Sequence, residues 1–312
     1  MSVNSRSEAL TPANFRAKRQ LPPPKKKHLL FSKYMNVKEL TLQSAVNRKR
    51  LMEIVYNAKA GHIGGDLSSL NVMTALYSDI MNISPAQVKD PNRDRFILSK
   101  GHCVEALYTV LESRGFIAPS LTNTLGKFGS VLSGHPTIEV PGIEVNSGAL
   151  GHGLSIGVGM AIAAKMDKRN YKTYVLMGDG EQGEGSIYEA AMAGHQYKLD
   201  NLVAIIDRNH LQISGNTEDV MALDSIPTRW SAFGWDVKEM NGDDMQSIKD
   251  TFANIDYNNG KPHLIVSNTT KGKGISFMEN VASWHHGMPN EEQYRQAMVE
   301  LNQAIEELKS QS

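Results

Sequence analysis

From Val37 onward the chain alternates between helical and strand-like spacing of apolar residues. Leu40, Ala45, Leu51, Ile54 and Val55 form a helical stripe that predicts a helix reaching residue 60, and residues 67–80 predict a second one. Short apolar runs at 95–98, 173–177, 202–206, 235–240 and 263–266 read as strands. The run at 202–206 has no polar member, as suits a strand buried on both faces of a parallel sheet. Between the strands, residues 104–111, 153–164, 185–197 and a stretch ending at 255 read as helices. This alternation predicts an α/β fold with a doubly wound, mostly parallel sheet flanked by helices. Ligands of such sheets sit beyond the carboxyl ends of the strands. The loops to inspect therefore hold Gly101-His102, Gly178-Asp179-Gly180, Asp207-Arg208-Asn209 and Lys271-Gly272.

Charge changes the picture at one end. Residues 1–34 carry eight Lys or Arg against Glu8 alone, so that segment is +7 and the remainder is −7, given a net charge of zero over 312 residues. Together with Pro22-Pro23-Pro24 and the absence of helical periodicity, this predicts a flexible basic extension over 1–36 and one domain over 37–312. A mildly acidic body argues against a nucleic-acid surface. No apolar stretch approaches the roughly 20 residues of a membrane span, and no secretory signal is visible near the N-terminus. The single cysteine, Cys103, excludes an internal disulfide and fits a reducing compartment, so a cytoplasmic location is expected.

The chemistry concentrates in VLMGDGEQGEGS at 175–186, an apolar run that ends in interleaved glycines and acids. A phosphate-binding loop would end in GK[ST], which is missing. Gly178, Gly180 and Gly183 fit a dinucleotide spacing, but Asp179 and Glu181 inside it would repel a bare pyrophosphate. The acids make sense if a divalent cation intervenes, bound by a carboxylate and binding a diphosphate. Asn209, 30 residues after Asp179 and just past the strand at 202–206, supplies a second oxygen ligand. GDG followed at this distance by Asn is the motif of thiamine diphosphate enzymes.

With AGHIGGDLS, SKGHC, LSGHP, GALGHG, GDGEQGEGS, DRNHLQISG, TTKGKG and WHHGMP in that order, the sequence resembles the N-terminal part of a transketolase. The resemblance implies thiamine diphosphate held through Mg²⁺, with Ca²⁺ or Mn²⁺ able to substitute. It assigns the metal to the Asp179 carboxylate, the Asn209 side-chain oxygen and the Leu211 carbonyl. It assigns cofactor contacts to His102, Gly151, Gly178, Gly180 and Asn209. His62, His135 and His286 match histidines that line the substrate channel, with His285 as the neighbouring alternative to His286. Glu184 is expected at a subunit interface and Glu181 on a solvated face. His152 departs from the family pattern, and the loop around Lys271 is expected to close over the site.

The resemblance further implies transfer of a two-carbon glycolaldehyde unit from a ketose phosphate to an aldose phosphate. The glutamate that activates the cofactor lies on a pyrimidine domain in the family, and none follows Ser312. The expected partner is therefore a pyrimidine-domain C-terminal subunit, in a heterotetramer. Three alternatives stay open: another thiamine diphosphate enzyme acting on pyruvate or a 2-oxoacid, a transketolase for an unusual or branched ketose phosphate, and a non-catalytic relative.

Overall fold

The computed structural model describes residues 35–310; the expected basic extension falls, up to residue 34, outside them. Met35 and Asn36, assigned to that extension from sequence, belong to the fold. The Met35 N–H donates to Asp79 Oδ1 at 3.1 Å. The Asn36 side chain accepts the Glu39 N–H while the Glu39 carboxylate accepts the Asn36 N–H. This reciprocal cap starts helix α1 (Val37–Ala58).

Helix α2 (Ile63–Ala75) begins four residues earlier than its apolar pattern suggested and runs into a π-helical turn, Leu76–Ile80. Every residue of α2 is buried. A helix enclosed on all sides has no amphipathic stripe to mark its start. Strand β1 (Arg95–Leu98) leads into α3 (Val104–Ser113), the short α4 (Pro119–Thr122) and α5 (Gly153–Met166). Strand β2 (Thr173–Gly178) is followed by α6 (Gly185–Gln196) and β3 (Leu202–Arg208). A small hairpin comes next, β4 (Leu211–Gln212) and β5 (Gly215–Asn216), then α7 (Thr217–Val220) and α8 (Ile226–Ala232). Strand β6 (Asp236–Asn241), α9 (Met245–Ala253), β7 (His263–Asn268) and α10 (Glu291–Ser310) complete the chain.

The main sheet has the order β1-β2-β3-β7-β6, and every pairing in it is parallel. Alternate residues of each strand feed two cores. Phe96, Leu98, Tyr174, Leu176, Val203, Ile205 and Ile265 pack on the side of α1, α2 and α3. Ile97, Val175, Met177, Ala204, Ile206 and Val266 pack on the side of α5, α6 and α8. Both faces are thus covered, which is the doubly wound arrangement expected from the unbroken apolar strands. Gly178 pairs with Asp207, and Asp207 with Ser267, so β2, β3 and β7 end level with one another. The loops after them, together with the loop after β1, meet at this edge.

Candidate active site

A cavity of about 400 Å³ opens at the carboxyl edge of the sheet. His62, His102, Gly178, Asp179, Gly180, Asn209 and Leu211, all singled out in the sequence, line it. Lys100, Glu181, Gln212, Lys271 and His285 complete much of the wall.

Asp179 follows the last residue of β2 and is buried. Its Oδ2 accepts three donors: the His210 N–H at 2.9 Å, Thr217 Oγ1 at 3.0 Å and Arg208 Nη1 at 3.1 Å. Among the described residues its Oδ1 accepts only the adjacent Gly180 N–H, at 2.7 Å. One carboxylate oxygen is therefore saturated, and the other retains lone-pair capacity. Asn209 is oriented by its neighbours. Its Nδ2 donates to Asp207 Oδ2 at 3.0 Å and to Ser68 Oγ at 3.3 Å. A carboxylate accepts only, so Asp207 fixes which end of the amide is nitrogen and frees Oδ1 to face away. Oδ1 keeps a single local contact, the Leu211 N–H at 3.2 Å. The Leu211 carbonyl accepts from Lys271 Nζ at 2.9 Å.

A carboxylate, a side-chain amide oxygen and a peptide carbonyl form a hard-oxygen set that suits Mg²⁺ or Ca²⁺. Among the described residues there is no cluster of three or more His, Cys, Asp or Glu placed for a metal ion. A cation held by this set has a single protein carboxylate, which leaves positions for ligand oxygens.

Sequence reasoning missed the support for this set. Lys100, fully buried, donates through Nζ to Asp207 Oδ2 at 2.5 Å and to Ser69 Oγ at 2.9 Å. Burial alone would depress the ammonium, but the Asp207 carboxylate holds its pKa above the ordinary lysine value. Burial likewise opposes the Asp207 charge, yet Lys100 and the Thr269 and Ser68 hydroxyls keep its pKa below the usual carboxylate value. The signal was present: Asp207 is a charge continuing an otherwise apolar strand.

Glu181 requires a correction. The sequence placed it on a solvated face, but it is 2% exposed. Its carboxylate accepts the Gly151 N–H at 2.8 Å, the Gly178 N–H at 3.0 Å and a short bond from the Ser99 hydroxyl. It ties together the loops that follow β1 and β2 and the one that leads into α5. The turn Gly180–Gly183 curls back as a 3-10 helix, which is why a polar stretch points inward.

The histidines divide into two groups. His62 precedes α2, and an isolated parallel bridge joins it to Gly287. That bridge draws the segment containing His285 and His286 against the start of α2. Gly64 permits it, because a Cβ there would lie 2.6 Å from the Trp284 carbonyl oxygen. His62, His102 and His285 line the cavity, with ring centroids 5.2 Å apart for His62–His102 and 5.4 Å for His102–His285. His286 is exposed and packs edge-on against His62 at 4.8 Å. The structure thus puts His285, the alternative from sequence, in the cavity wall and His286 at its outer side. His135 is exposed and abuts Gly148, which lines the cavity.

Burial and the surrounding cations keep three of these rings neutral. Desolvation, then His286, His135 and Lys100, lowers His62 to about 4. Desolvation, then Lys100, lowers His102 to about 2. Desolvation, then Lys271, lowers His285 to about 3. Lys271 itself is lowered to about 8 by burial and the Lys100 charge, and its Nζ lies 2.9 Å from His285 Nδ1.

Gly151 and Glu184 lie behind the cavity wall. Gly151 has a φ of +84°, and a Cβ there would meet Ser186 Oγ at 2.6 Å and Glu184 Cβ at 2.7 Å. Glu184 precedes α6, is exposed, and makes no side-chain capping bond. His152 is exposed, with Nδ1 3.1 Å from the Leu150 carbonyl oxygen.

Comparison with known proteins agrees with this geometry. The family model described as "Transketolase, thiamine diphosphate binding domain" matches residues 41–303. The chain is 70% identical over 278 residues to one of the subunits of the apulose-4-phosphate transketolase of Phocaeicola vulgatus, covering 89% of this chain and 99% of that one. It is 38% identical over 270 residues to the 6-deoxy-6-sulfo-D-fructose transketolase subunit SqwG of a Clostridium species, covering 86% and 98%. The crystal structure of Campylobacter jejuni transketolase superposes with a TM-score of 0.81 at 29% identity, covering 86% of this chain and 43% of that one. The chain therefore spans a little over two fifths of that enzyme and nearly all of the two subunits. On the family match and the 70% identity, the chain belongs to the transketolase family.

Proposed function

We propose that this chain is the thiamine diphosphate binding subunit of a two-polypeptide transketolase, and that its donor is apulose 4-phosphate. The observation that carries the reading is the convergence of Asp179, Asn209 and Leu211 on a cavity also lined by His62, His102 and His285. The donor assignment is supported by the 70% identity to a chain of an apulose-4-phosphate transketolase.

Asp179 Oδ1, Asn209 Oδ1 and the Leu211 carbonyl would hold Mg²⁺, and the cation would hold the diphosphate. Lys271 donates to the Leu211 carbonyl and could move toward phosphate oxygens, whereas Lys100 is committed to Asp207. Gly178 and Gly180 keep the backbone open beside Asp179. When bound, thiamine diphosphate supplies a nucleophilic carbon for the ketose carbonyl and accepts the electrons of the carbon–carbon bond that breaks. Their lowered pKa values keep His62, His102 and His285 neutral at pH 7, so each ring can donate from one nitrogen and accept at the other. They can orient sugar hydroxyls and move a proton between neighbouring oxygens. His135 and His286, outside the cavity wall, would meet the sugar as it enters.

The rest of the reaction would come from a pyrimidine-domain partner subunit, in a heterotetramer, in the cytoplasm. The relatives from Phocaeicola vulgatus and Actinobacillus succinogenes are each named as one subunit of their enzyme, which supports a partner. Among the described residues no helix is long and apolar enough to cross a membrane. Assays of this chain, the candidate partner and their mixture, with apulose 4-phosphate, xylulose 5-phosphate and pyruvate as donors, test the reading. Transfer from apulose 4-phosphate by the mixture alone is expected. Consumption of pyruvate without ketose cleavage would refute it.

A further inference from the structure

Two carboxyl groups outside the cavity wall are buried together. Asp66, in the first turn of α2, is 0% exposed, and Glu105, in the first turn of α3, is 3% exposed. Asp66 Oδ1 accepts the Ala106 N–H at 2.9 Å. Cys103, the residue before α3, makes no side-chain capping bond. Asp66 therefore caps α3 from a different helix, and the partial positive charge of that helix end favours its ionised form. Asp66 Oδ2 and Glu105 Oε2 have no hydrogen-bond partner among the described residues, and Asp66 is bonded to the residue that follows Glu105, so the two buried carboxyls are neighbours. Two carboxylates both accept and cannot bond; with one proton between them, both orphan oxygens are satisfied.

We propose that Asp66 and Glu105 share one proton, Glu105 donating to ionised Asp66, and that this pair positions His62 and His102 by tying the start of α2 to the start of α3. His62 immediately precedes α2, and His102 lies in the turn Gly101–Cys103 that enters α3. Asp66 lies four residues after His62, and Glu105 three after His102. The other titratable groups around it do not supply the missing donor. Lys100 faces Asp66 but spends its ammonium on Asp207 and Ser69, the Cys103 thiol is held protonated by burial, and Tyr108 acts on Glu105 at longer range. Burial also raises both carboxyls above the usual carboxylate value, Glu105 well above it, the direction a shared proton requires.

The proton sharing stands apart from the proposed function; the significance of placing His62 and His102 rests on it. The test therefore uses the full chain alone, without cofactor or partner. Above the ordinary carboxylate pKa the folded pair keeps a proton that the unfolded chain has released. The pair's contribution to stability, read as wild type less Glu105→Gln, must then fall with rising pH, by up to tenfold in the folding equilibrium per pH unit. Glu105→Gln replaces the shared proton with a permanent N–H donor and should remove this slope. Asp66→Asn should do the same, since its oxygen still caps Ala106 and its NH₂ faces Glu105. At pH 7.5 the infrared carbonyl stretch of a protonated carboxyl should weaken in Glu105→Gln. The imidazole NMR signals of His62 and His102 should move in Glu105→Ala and return in Glu105→Gln. Wild-type and Glu105→Gln melting curves that stay parallel from pH 5 to 8 would overturn the proposal. So would imidazole signals that Glu105→Gln disturbs as much as Glu105→Ala.

Discussion

Glu181→Ala separates a buried tie from a surface charge most sharply. On a solvated face the substitution would change stability by no more than about 0.5 kcal/mol. In the structure it removes the acceptor for the Gly151 and Gly178 N–H groups and the Ser99 hydroxyl. Each buried donor left unsatisfied costs roughly 1–3 kcal/mol. Release of a carboxyl that burial disfavours, as its raised pKa shows, offsets part of the loss. The net expectation is about 3 kcal/mol, or roughly 6–12 °C in Tm for a domain of this size. Thermal melts of wild type and Glu181→Ala, with exposed Glu189→Ala as the surface control, measure it. Glu181→Gln should fall between, because its NH₂ would face at least one of the three donors. A Tm change below about 2 °C for Glu181→Ala would refute the three-loop tie.

Three further outcomes follow from the same network. Asp207→Asn leaves the Lys100 ammonium buried without its counter-charge and should cost about 3–5 kcal/mol, read by urea denaturation. The same substitution no longer dictates the orientation of the Asn209 amide, so magnesium-dependent binding of thiamine diphosphate should weaken in calorimetry. His62, His102 and His285 have folded-state pKa values below the unfolded value, so at these three sites the folded chain binds fewer protons than the unfolded one as pH falls below about 6.5. Stability should drop from pH 6.5 toward 4, and His102→Gln should flatten that slope in a pH series of melts.

The sheet was legible because its central strands β2, β3 and β7 carry unbroken apolar runs that end in glycine or polar residues. The stretch at 95–98 and the run at 202–206 needed no tertiary information. The hairpin β4–β5 was hidden because two-residue strands have no period. Helix α10 was passed over because its buried residues, Ala297, Leu301 and Ile305, form a narrow stripe in a strongly polar segment. Within the site, Asp179 and Asn209 were visible through their spacing and strand context. Glu181 and Lys100 were not, since a charge is by default exposed and only the fold shows which partners bury it, and Asp207 was marked only by its place at the end of an apolar strand. The exchange of His285 for His286 in the cavity wall depends on the His62–Gly287 bridge, a contact between residues 225 apart in sequence.

The central claim is that one carboxylate, one amide and one carbonyl bind a diphosphate through a cation. Titration calorimetry of thiamine diphosphate into the chain assembled with its candidate partner tests it, with Mg²⁺, with EDTA, and with Asp179→Ala. Binding is expected with Mg²⁺, and its loss both in EDTA and in Asp179→Ala. Equal affinity with and without the metal, or full affinity in Asp179→Ala, would contradict the claim.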